Sequence, residues 1–560
     1  MAQQPRFNLP QAMQDAVQLH QQGKLREAEK LYARVLKAAP ENFDALHLLG
    51  LTKAQSGQMG EAYRLLSAAL KIQPNAPEAL MNLANVLHAF KRDDEALASL
   101  DRALALRPGD INALHYRGNA LLSLARPTEA LAAFDEVLAR EPRHAEAQLN
   151  RGVALAELGR TPEALAALDA ALQLAPSHPA AHYNRGNVLA SLDRDAEALA
   201  AFDRALAAAP NHITAWNNRG RALQGLNRHA EAVESFDRAL ALQKDYADAH
   251  FNRALSLLTL GNFKRGFADY EWRWKRTGMS DTRRNYRCPL WLGEYPLGGK
   301  TIMLHAEQGL GDTIQFARYA PMLGRSGAKV VLEVQQELKT LLSGLAGVSA
   351  CLGRGEPLPA YDVHCPLGSL PLAMKTEPNT IPSEIPYLHA DDAHVAKWRE
   401  TMSGLPGKRV ALAWAGHARH ANDRNRSIAL TQLEPLFALE GISFVSVQRE
   451  LREGDAELLS RHANIVHLGD KLTDMADTAS LLALADLLIS VDTSVAHLAG
   501  AMARPVWVTL AFAPDWRWTP LAPSEDRSAW YPQARLFRQP ALGDWASVIA
   551  ALRDALAQSA

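Results

Sequence analysis

The chain has 560 residues, with 60 basic and 61 acidic side chains and three cysteines. That balance excludes the net positive field on which nonspecific binding to nucleic acid or an anionic membrane depends, and no window of about 18 uninterrupted apolar residues is present to insert into a bilayer. Cys288, Cys351 and Cys365 are odd in number and widely spaced, which argues against a disulfide framework or a paired metal site and predicts buried thiols in a reducing compartment. The N-terminal stretch MAQQPRFNLPQAMQDAV lacks a basic segment leading into an apolar core, so a cytoplasmic location is expected.

From residue 10 to 276 the chain is periodic. Pro40, Pro74, Pro108, Pro142, Pro176 and Pro210 are spaced by 34 residues, and Ala28, Ala62, Ala96, Ala130, Ala164, Ala198 and Ala232, each following a Glu, keep the same register. Gly118, Gly152, Gly186 and Gly220 mark a third register of small residues. Two amphipathic helices per unit, small where they cross and ended by proline, resemble the tetratricopeptide repeat, in about eight copies. One unit cannot bury its apolar face alone, so an all-α solenoid with a concave inner surface is expected.

One position of the first helix of each unit carries Leu48, Tyr116 and five asparagines, Asn82, Asn150, Asn184, Asn218 and Asn252. An amide offers both a donor and an acceptor, so such a row is suited to gripping the backbone of an extended polypeptide; the alternative is that the amides bridge neighbouring helices. The row resembles the asparagine ladder in the repeats of protein O-linked N-acetylglucosamine transferases, which implies a polypeptide partner. A second row, Asp101, Asp135, Asp169, Asp203 and Asp237, reads as a solvated face or as inter-repeat ion pairs.

Eight of the eleven tryptophans lie beyond residue 290, where Gly and Pro punctuate short β-branched runs. After a linker-like stretch, 277–299, an apolar strand at 300–306 runs through Gly309 and Gly311 into a helix from about Asp312 to Gly324. Strands are also expected at 328–334 and 362–366, completing a small α/β lobe over 300–392. From Lys408 the pattern restarts in KRVALAWAG, ISFVSVQ, NIVHLG, DLLISVD and PVWVTL, giving a second lobe with a terminal helix over 393–560. Strand alternating with helix predicts open, mostly parallel sheets, with ligands held at the carboxyl edges of the strands.

Two segments suit that edge. SVDTSVAHLAGAMARPVWVTL places Asp492 at a strand end, Thr493, Ser494 and Val495 at the next helix start, and His497 one turn along; free amides and hydroxyls at a helix N-terminus bind phosphate. Taken with EQGLGD, it resembles the ADP-heptose:lipopolysaccharide heptosyltransferase family, which implies a GT-B fold over about 300–545. The resemblance implies Asp312 as the general base for the acceptor hydroxyl, and Asp492, Thr493, Ser494 and Val495 as the place where donor sugar and diphosphate are held, in an inverting transfer that needs no metal. Gly309 and Gly311 shape the donor-facing turn, although they do not make a full dinucleotide fingerprint. As caps, Asp312, Asp492 and Thr493 would need no ligand at all.

Between the motifs, Arg424, Arg426 and Ser427 follow Trp414 and Gly416 off a strand end and are candidate diphosphate contacts, Arg426 first. Gln448 ends the next strand and is a further donor candidate. His417 and His420 lack carboxylate or cysteine company and read as solvated loop residues. His497 reads equally as a donor contact or as helix packing, and Trp516 and Trp518 as ligand stacking or as anchors. The first lobe, about 90 residues, is shorter than the resemblance implies, and the histidine signatures of the protein O-linked N-acetylglucosamine transferases are missing. The expected function is therefore a glycosyltransferase acting on an acceptor recruited by the repeats, a protein before a saccharide or lipid-linked glycan, with a non-catalytic scaffold as the alternative.

Overall fold

A computed structural model describes residues 8–279, 286–419, 422–520 and 525–559. It divides into two compact units, 1–215 and 216–560. The division falls inside the periodic region rather than at the linker-like stretch.

The first unit is six antiparallel helix pairs, from Leu9–Gln21 with Leu25–Ala38 to Pro179–Ser191 with Asp195–Ala208. Each recurrent alanine of the second helices, Ala28 through Ala198, is fully buried, and the spaced prolines stand two residues beyond each second helix, where no further amide donor is needed. The glycine register is set by close approach: a Cβ on Gly186 would lie 2.6 Å from the Phe202 ring, and one on Gly118 2.5 Å from Phe134. The aspartate row forms inter-helix ion pairs, Asp101 with Arg117 at 2.7 Å, Asp135 with Arg151 at 2.6 Å and Asp169 with Arg185 at 2.6 Å.

The turn between the two helices of each pair requires one residue in the left-handed region. Gly23, Gly57 and Gly159 fill it, but Lys91, Ala125 and Asp193 hold the same register with φ of 60°, 54° and 56°. A side chain there crowds its own backbone, whereas Gly costs more only in the unfolded chain. Ala125→Gly is therefore expected to stabilise the first unit by about 0.5–1 kcal/mol, read as a rise in Tm; an unchanged or lower Tm would refute the strain.

The boundary falls within the helix Ile213–Gly225; this helix pairs with His229–Leu242, and Ala247–Thr259 pairs with Phe263–Tyr270, closed by a 3-10 turn, Glu271–Lys275. Phe263, Phe267 and Tyr270 belong to the same buried cluster as Trp516 and Trp530 of the α/β region. The apolar face of the final pair is thus covered by the α/β core. The described part of the predicted linker is also packed: Trp291 is buried and its backbone amide donates to the carbonyl of His364.

Two parallel sheets follow. The first contains β1 (Thr301–His305), β2 (Lys329–Val334), β3 (Val348–Gly353) and β4 (Val363–Pro366), in the order β3-β2-β1-β4. The second contains β5 (Lys408–Ala413), β6 (Ile442–Ser446), β7 (Ile465–His467), β8 (Leu487–Val491), β9 (Val506–Leu510) and β10 (Ala534–Arg538), in the order β10-β9-β8-β5-β6-β7. That is the doubly wound order of a nucleotide-binding sheet, whose direction of winding reverses between β5 and β8. In the first sheet the reversal lies between β1 and β4. Strands β3 and β10, not expected from sequence, are edge strands whose exposed or charged positions break the apolar run.

The helix Asp392–Ser403 packs on the helix Met475–Leu484 of the second lobe. Before it, Tyr387 ties the lobes: its amide donates to the Ala501 carbonyl at 3.0 Å and its hydroxyl to the Ile314 carbonyl at 3.1 Å.

Candidate functional site

Each of the two sequence motifs lies at the carboxyl end of a strand on a sheet's reversal point. After β1 the chain turns at Gly309 into the helix Leu310–Ala317, and after β8 it turns at Thr493 into the helix Ser494–Ala501. These helices pack against each other at their first turns: a Cβ on Gly311 would stand 2.9 Å from the His497 ring and 3.5 Å from Cα of Ser494. Residues some 180 apart in sequence thereby meet at one helix–helix contact, and Gly311 is required by that approach.

On the first-lobe side, Asp312 sits in the first turn of its helix. One carboxylate oxygen accepts the Gly309 amide at 3.1 Å, and the other pairs with Nη2 of Arg517 at 2.5 Å. Arg517 is buried, with its Nη1 on Asp515 at 2.9 Å and its guanidinium 4.5 Å from the Trp516 ring centre. Burial works against the Arg517 charge, but the two carboxylates outweigh it and hold the group charged. Asp312 is therefore fixed by a cation from the second lobe as well as by its own helix.

On the second-lobe side, the Asp492 carboxylate accepts Nε1 of Trp518 at 2.6 Å. Burial, with Asp515 adding to it, pushes its pKa up to about 6. The Asp492 carbonyl accepts Nη1 of Arg426 at 3.0 Å, which spans the gap between the end of β8 and the loop after β5. No side chain caps the helix Ser494–Ala501; the Thr493 hydroxyl turns instead to Ser490 at 3.1 Å. Ser494 and Val495 are half-buried at its start. Uncapped first-turn amides and a guanidinium at the same strand end are groups suited to an anion.

Several expectations need correction. Gln448 is buried, its carbonyl oxygen accepting the Trp414 and Ala415 amides at 3.2 and 3.1 Å and its Nε2 donating to the Glu450 carbonyl. Its amide is thereby engaged by backbone groups and shapes the loop after β5. His497 is also buried, with Nδ1 3.1 Å from the Tyr531 hydroxyl and its ring against Trp518; burial pushes its pKa well down, and it is a packing residue. Trp516 and Trp518 are buried anchors. Ser427 is held between the Gly416 amide and Asp423, while Arg424 is exposed. His417 is exposed, 3.8 Å from Glu450, and His420 lies outside the described residues. Among the described residues no cluster of three or more His, Cys, Asp or Glu is placed to hold a metal.

The asparagine row also departs from a peptide-gripping ladder. Asn82 bonds His47 at 2.9 Å, Asn150 bonds Asn119 at 2.8 Å and His115 at 3.3 Å, Asn252 bonds Asn217 at 3.0 Å, and Asn218 accepts from Asn217 at 3.1 Å. Most of these bonds span 31 to 35 residues and join neighbouring repeats. Asn184 is half-buried in the same register.

Sequence reading missed Arg517 and Asp515, and with them Glu307 and Arg273, two further buried side chains at the first glycine turn. A signal was present: Glu271-Trp272-Arg273-Trp274 and Asp515-Trp516-Arg517-Trp518 repeat one pattern of acid, Trp, Arg, Trp.

The fold and the site define a repeat protein whose α/β portion has two parallel sheets and a helix without a side-chain cap at the reversal point of the second. Comparison with known proteins places it further. Residues 19–77, 117–179, 156–213 and 217–276 match one tetratricopeptide repeat profile and 53–116 another, while 444–528 match glycosyltransferase family 9 (heptosyltransferase). The chain thus carries tetratricopeptide repeats, modules that usually bind peptides or proteins, and a glycosyltransferase family 9 domain. It is 28% identical over 333 residues to Protein FlbA of Caulobacter vibrioides, covering 53% of this chain and 54% of that protein, so it spans about half the length of this relative. Similar solved structures include a tetratricopeptide repeat protein from Parabacteroides merdae (18% identity, 44% of this chain and 98% of that one, TM-score 0.38) and YrrB, described as a repeat protein with an unusual peptide-binding site (23%, 33% and 95%, TM-score 0.28). No helix among the described residues is long and apolar enough to cross a membrane.

Proposed function

We propose that the protein is an inverting, metal-independent glycosyltransferase that moves a sugar from a nucleotide-sugar donor to a polypeptide recruited by the repeats. The observation that carries this is the close approach of Gly311 to Ser494 and His497, which brings the glycine turn of one sheet beside the uncapped helix of the other.

The donor diphosphate would lie at the first turn of the helix Ser494–Ala501, with Arg426 beside it, and the nucleoside over the ends of β5 and β8. The developing negative charge of the leaving diphosphate is then met by amides and guanidinium groups. Asp312 faces this point from the other lobe and would take the acceptor hydroxyl proton as the oxygen attacks the sugar from the face opposite the departing phosphate. Since Asn82, Asn150 and Asn252 are bonded between repeats, the acceptor would be recognised by other side chains of the repeat surface as well as by the remaining asparagines.

The test is release of nucleoside diphosphate from a panel of nucleotide sugars, with and without a mixture of unfolded polypeptides, followed by intact-mass analysis of those polypeptides. Release that rises with polypeptide, and a sugar-sized mass gain on it, supports the reading. Transfer to a glycan alone would move the acceptor to a saccharide, and no turnover of any donor would leave a scaffold.

A further inference from the structure

The two acid-Trp-Arg-Trp turns hold opposite ends of the same six residues. Both are 3-10 turns, Glu271–Lys275 at the end of the repeats and Trp516–Trp518 after β9. In each, the arginine is buried and gives Nη1 to the acid two residues before it: Arg273 to Glu271 at 2.6 Å and Arg517 to Asp515 at 2.9 Å. Each then extends Nη2 to a carboxylate of the glycine turn: Arg273 to Glu307 at 3.1 Å and Arg517 to Asp312 at 2.5 Å. Each guanidinium also stacks on a tryptophan of its own motif, Arg273 4.8 Å from the Trp274 ring centre and Arg517 4.5 Å from that of Trp516.

The first arm sits at the reversal point of the first sheet. Arg273 Nη2 also donates to the Ser369 hydroxyl at 2.7 Å, and the Glu307 oxygen that it meets accepts the Gly368 amide at 3.1 Å as well, so the ends of β1 and β4 are joined through a residue of the repeats. Tyr270 adds a bond from its hydroxyl to Gln308 at 2.9 Å. In an open sheet this crevice is where a ligand would lie; here an arginine fills it.

We propose that these two turns form a clamp on residues 307–312, with Arg273 and Arg517 as positioning residues that set Asp312 for transfer and make the end of the repeats a structural part of the active site. A planar guanidinium with two fixed edges is suited to holding one carboxylate relative to another, which a lysine cannot do. Burial pushes Glu307 up to about 7 against the pull of Arg273, with Asp312 adding to the rise; the turn therefore crowds two carboxylates that would repel without the two cations. Arg273 and Arg517 act through the turn and are given no contact with substrate.

This inference rests on the transferase reading for its effect on rate, and its structural half is tested independently. Arg273→Lys and Arg517→Lys keep the charge and lose the fork; Glu307→Gln keeps the shape and loses the charge, and serves if an arginine variant unfolds. In the full chain, amide exchange of the segment 306–313 is expected to rise at least about tenfold in each lysine variant, with the rest of the second unit unchanged. For transfer, kcat is expected to fall on the order of tenfold to a hundredfold with donor affinity preserved, because a small displacement of a reacting group costs rate rather than binding. Exchange in 306–313 equal to that of the parent chain would overturn the clamp. Altered exchange in a protein that turns over no donor would keep the clamp and sink the transferase reading, and a loss of donor affinity with unchanged kcat would remove the positioning role.

Discussion

Asp312→Asn is expected to lower the rate of sugar transfer by about a hundredfold to ten-thousandfold, the range associated with losing a positioned general base, while donor affinity stays near that of the parent chain. Asparagine keeps the size of the side chain and an oxygen that can accept the Gly309 amide now held at 3.1 Å, so the helix start survives. What is lost is the negative charge facing Arg517 and the ability to take a proton. Single-turnover rates at saturating donor, compared with those of Arg517→Lys, separate the two roles: a fall well beyond that of the arginine variant with unchanged donor binding identifies a base, a fall equal to it assigns Asp312 to the ion pair, and full activity would remove both roles.

Asp477→Ala should be the most destabilising of the substitutions considered, by about 3–5 kcal/mol and nearer the lower figure. Asp477 is fully buried and accepts from Lys397 Nζ at 2.9 and 3.0 Å, from Trp398 Nε1 at 3.1 Å, and from the Thr473 amide and hydroxyl at 3.0 and 2.7 Å. It fastens the helix Asp392–Ser403 to the second lobe. Alanine would leave the indole and amide donors buried without an acceptor; Lys397, whose side chain is 49% exposed, can turn to water, which is why the lower figure is favoured. Burial alone would raise the Asp477 pKa, but the bonds from Lys397, Thr473 and Trp398 win and hold it well below the usual carboxylate range. The group therefore contributes stability at pH values above its unfolded pKa near 4, and that contribution is lost as pH falls through and below this range. Denaturant melts of the two proteins should converge toward acid; a constant difference down to pH 3 would contradict the assignment.

The repeats were legible because 34-residue spacing encodes packing directly: Ala28 and its counterparts are buried, and Gly186 has no room for a methyl group. The parallel sheets were legible wherever a strand is buried on both faces, as β5, β6 and β8 are, and illegible at the edges, where β3 and β10 carry exposed or charged residues. At the site, residues of the two motifs meet as their strand-to-helix junctions suggested. Gln448 and His497 did not follow, since a polar side chain at a strand end or helix start serves a backbone amide or a neighbouring hydroxyl as readily as a ligand. The asparagine row shows the same ambiguity: a periodic array offers each amide a partner one repeat away, and Asn82, Asn150 and Asn252 take it. Arg273 and Arg517 escaped notice because their partners, Glu307 and Asp312, are distant in sequence, although the repeated acid-Trp-Arg-Trp pattern pointed to a shared task.

The central claim is that a nucleotide sugar binds at the first turn of the helix Ser494–Ala501. Equilibrium titration of a nucleotide-sugar panel against the parent chain and Ser494→Asp tests it most directly. A carboxylate at the first helical position interacts favourably with the helix dipole, and a Tm near the parent's checks that the half-buried start of the helix tolerates it; the substitution places a negative charge where the diphosphate would sit. The account predicts saturable binding of a donor by the parent and at least about a tenfold loss in the variant, the 1.4 kcal/mol that one repelled charge readily supplies. Equal affinity in the two proteins, or no binding of any nucleotide sugar to the parent, would contradict it.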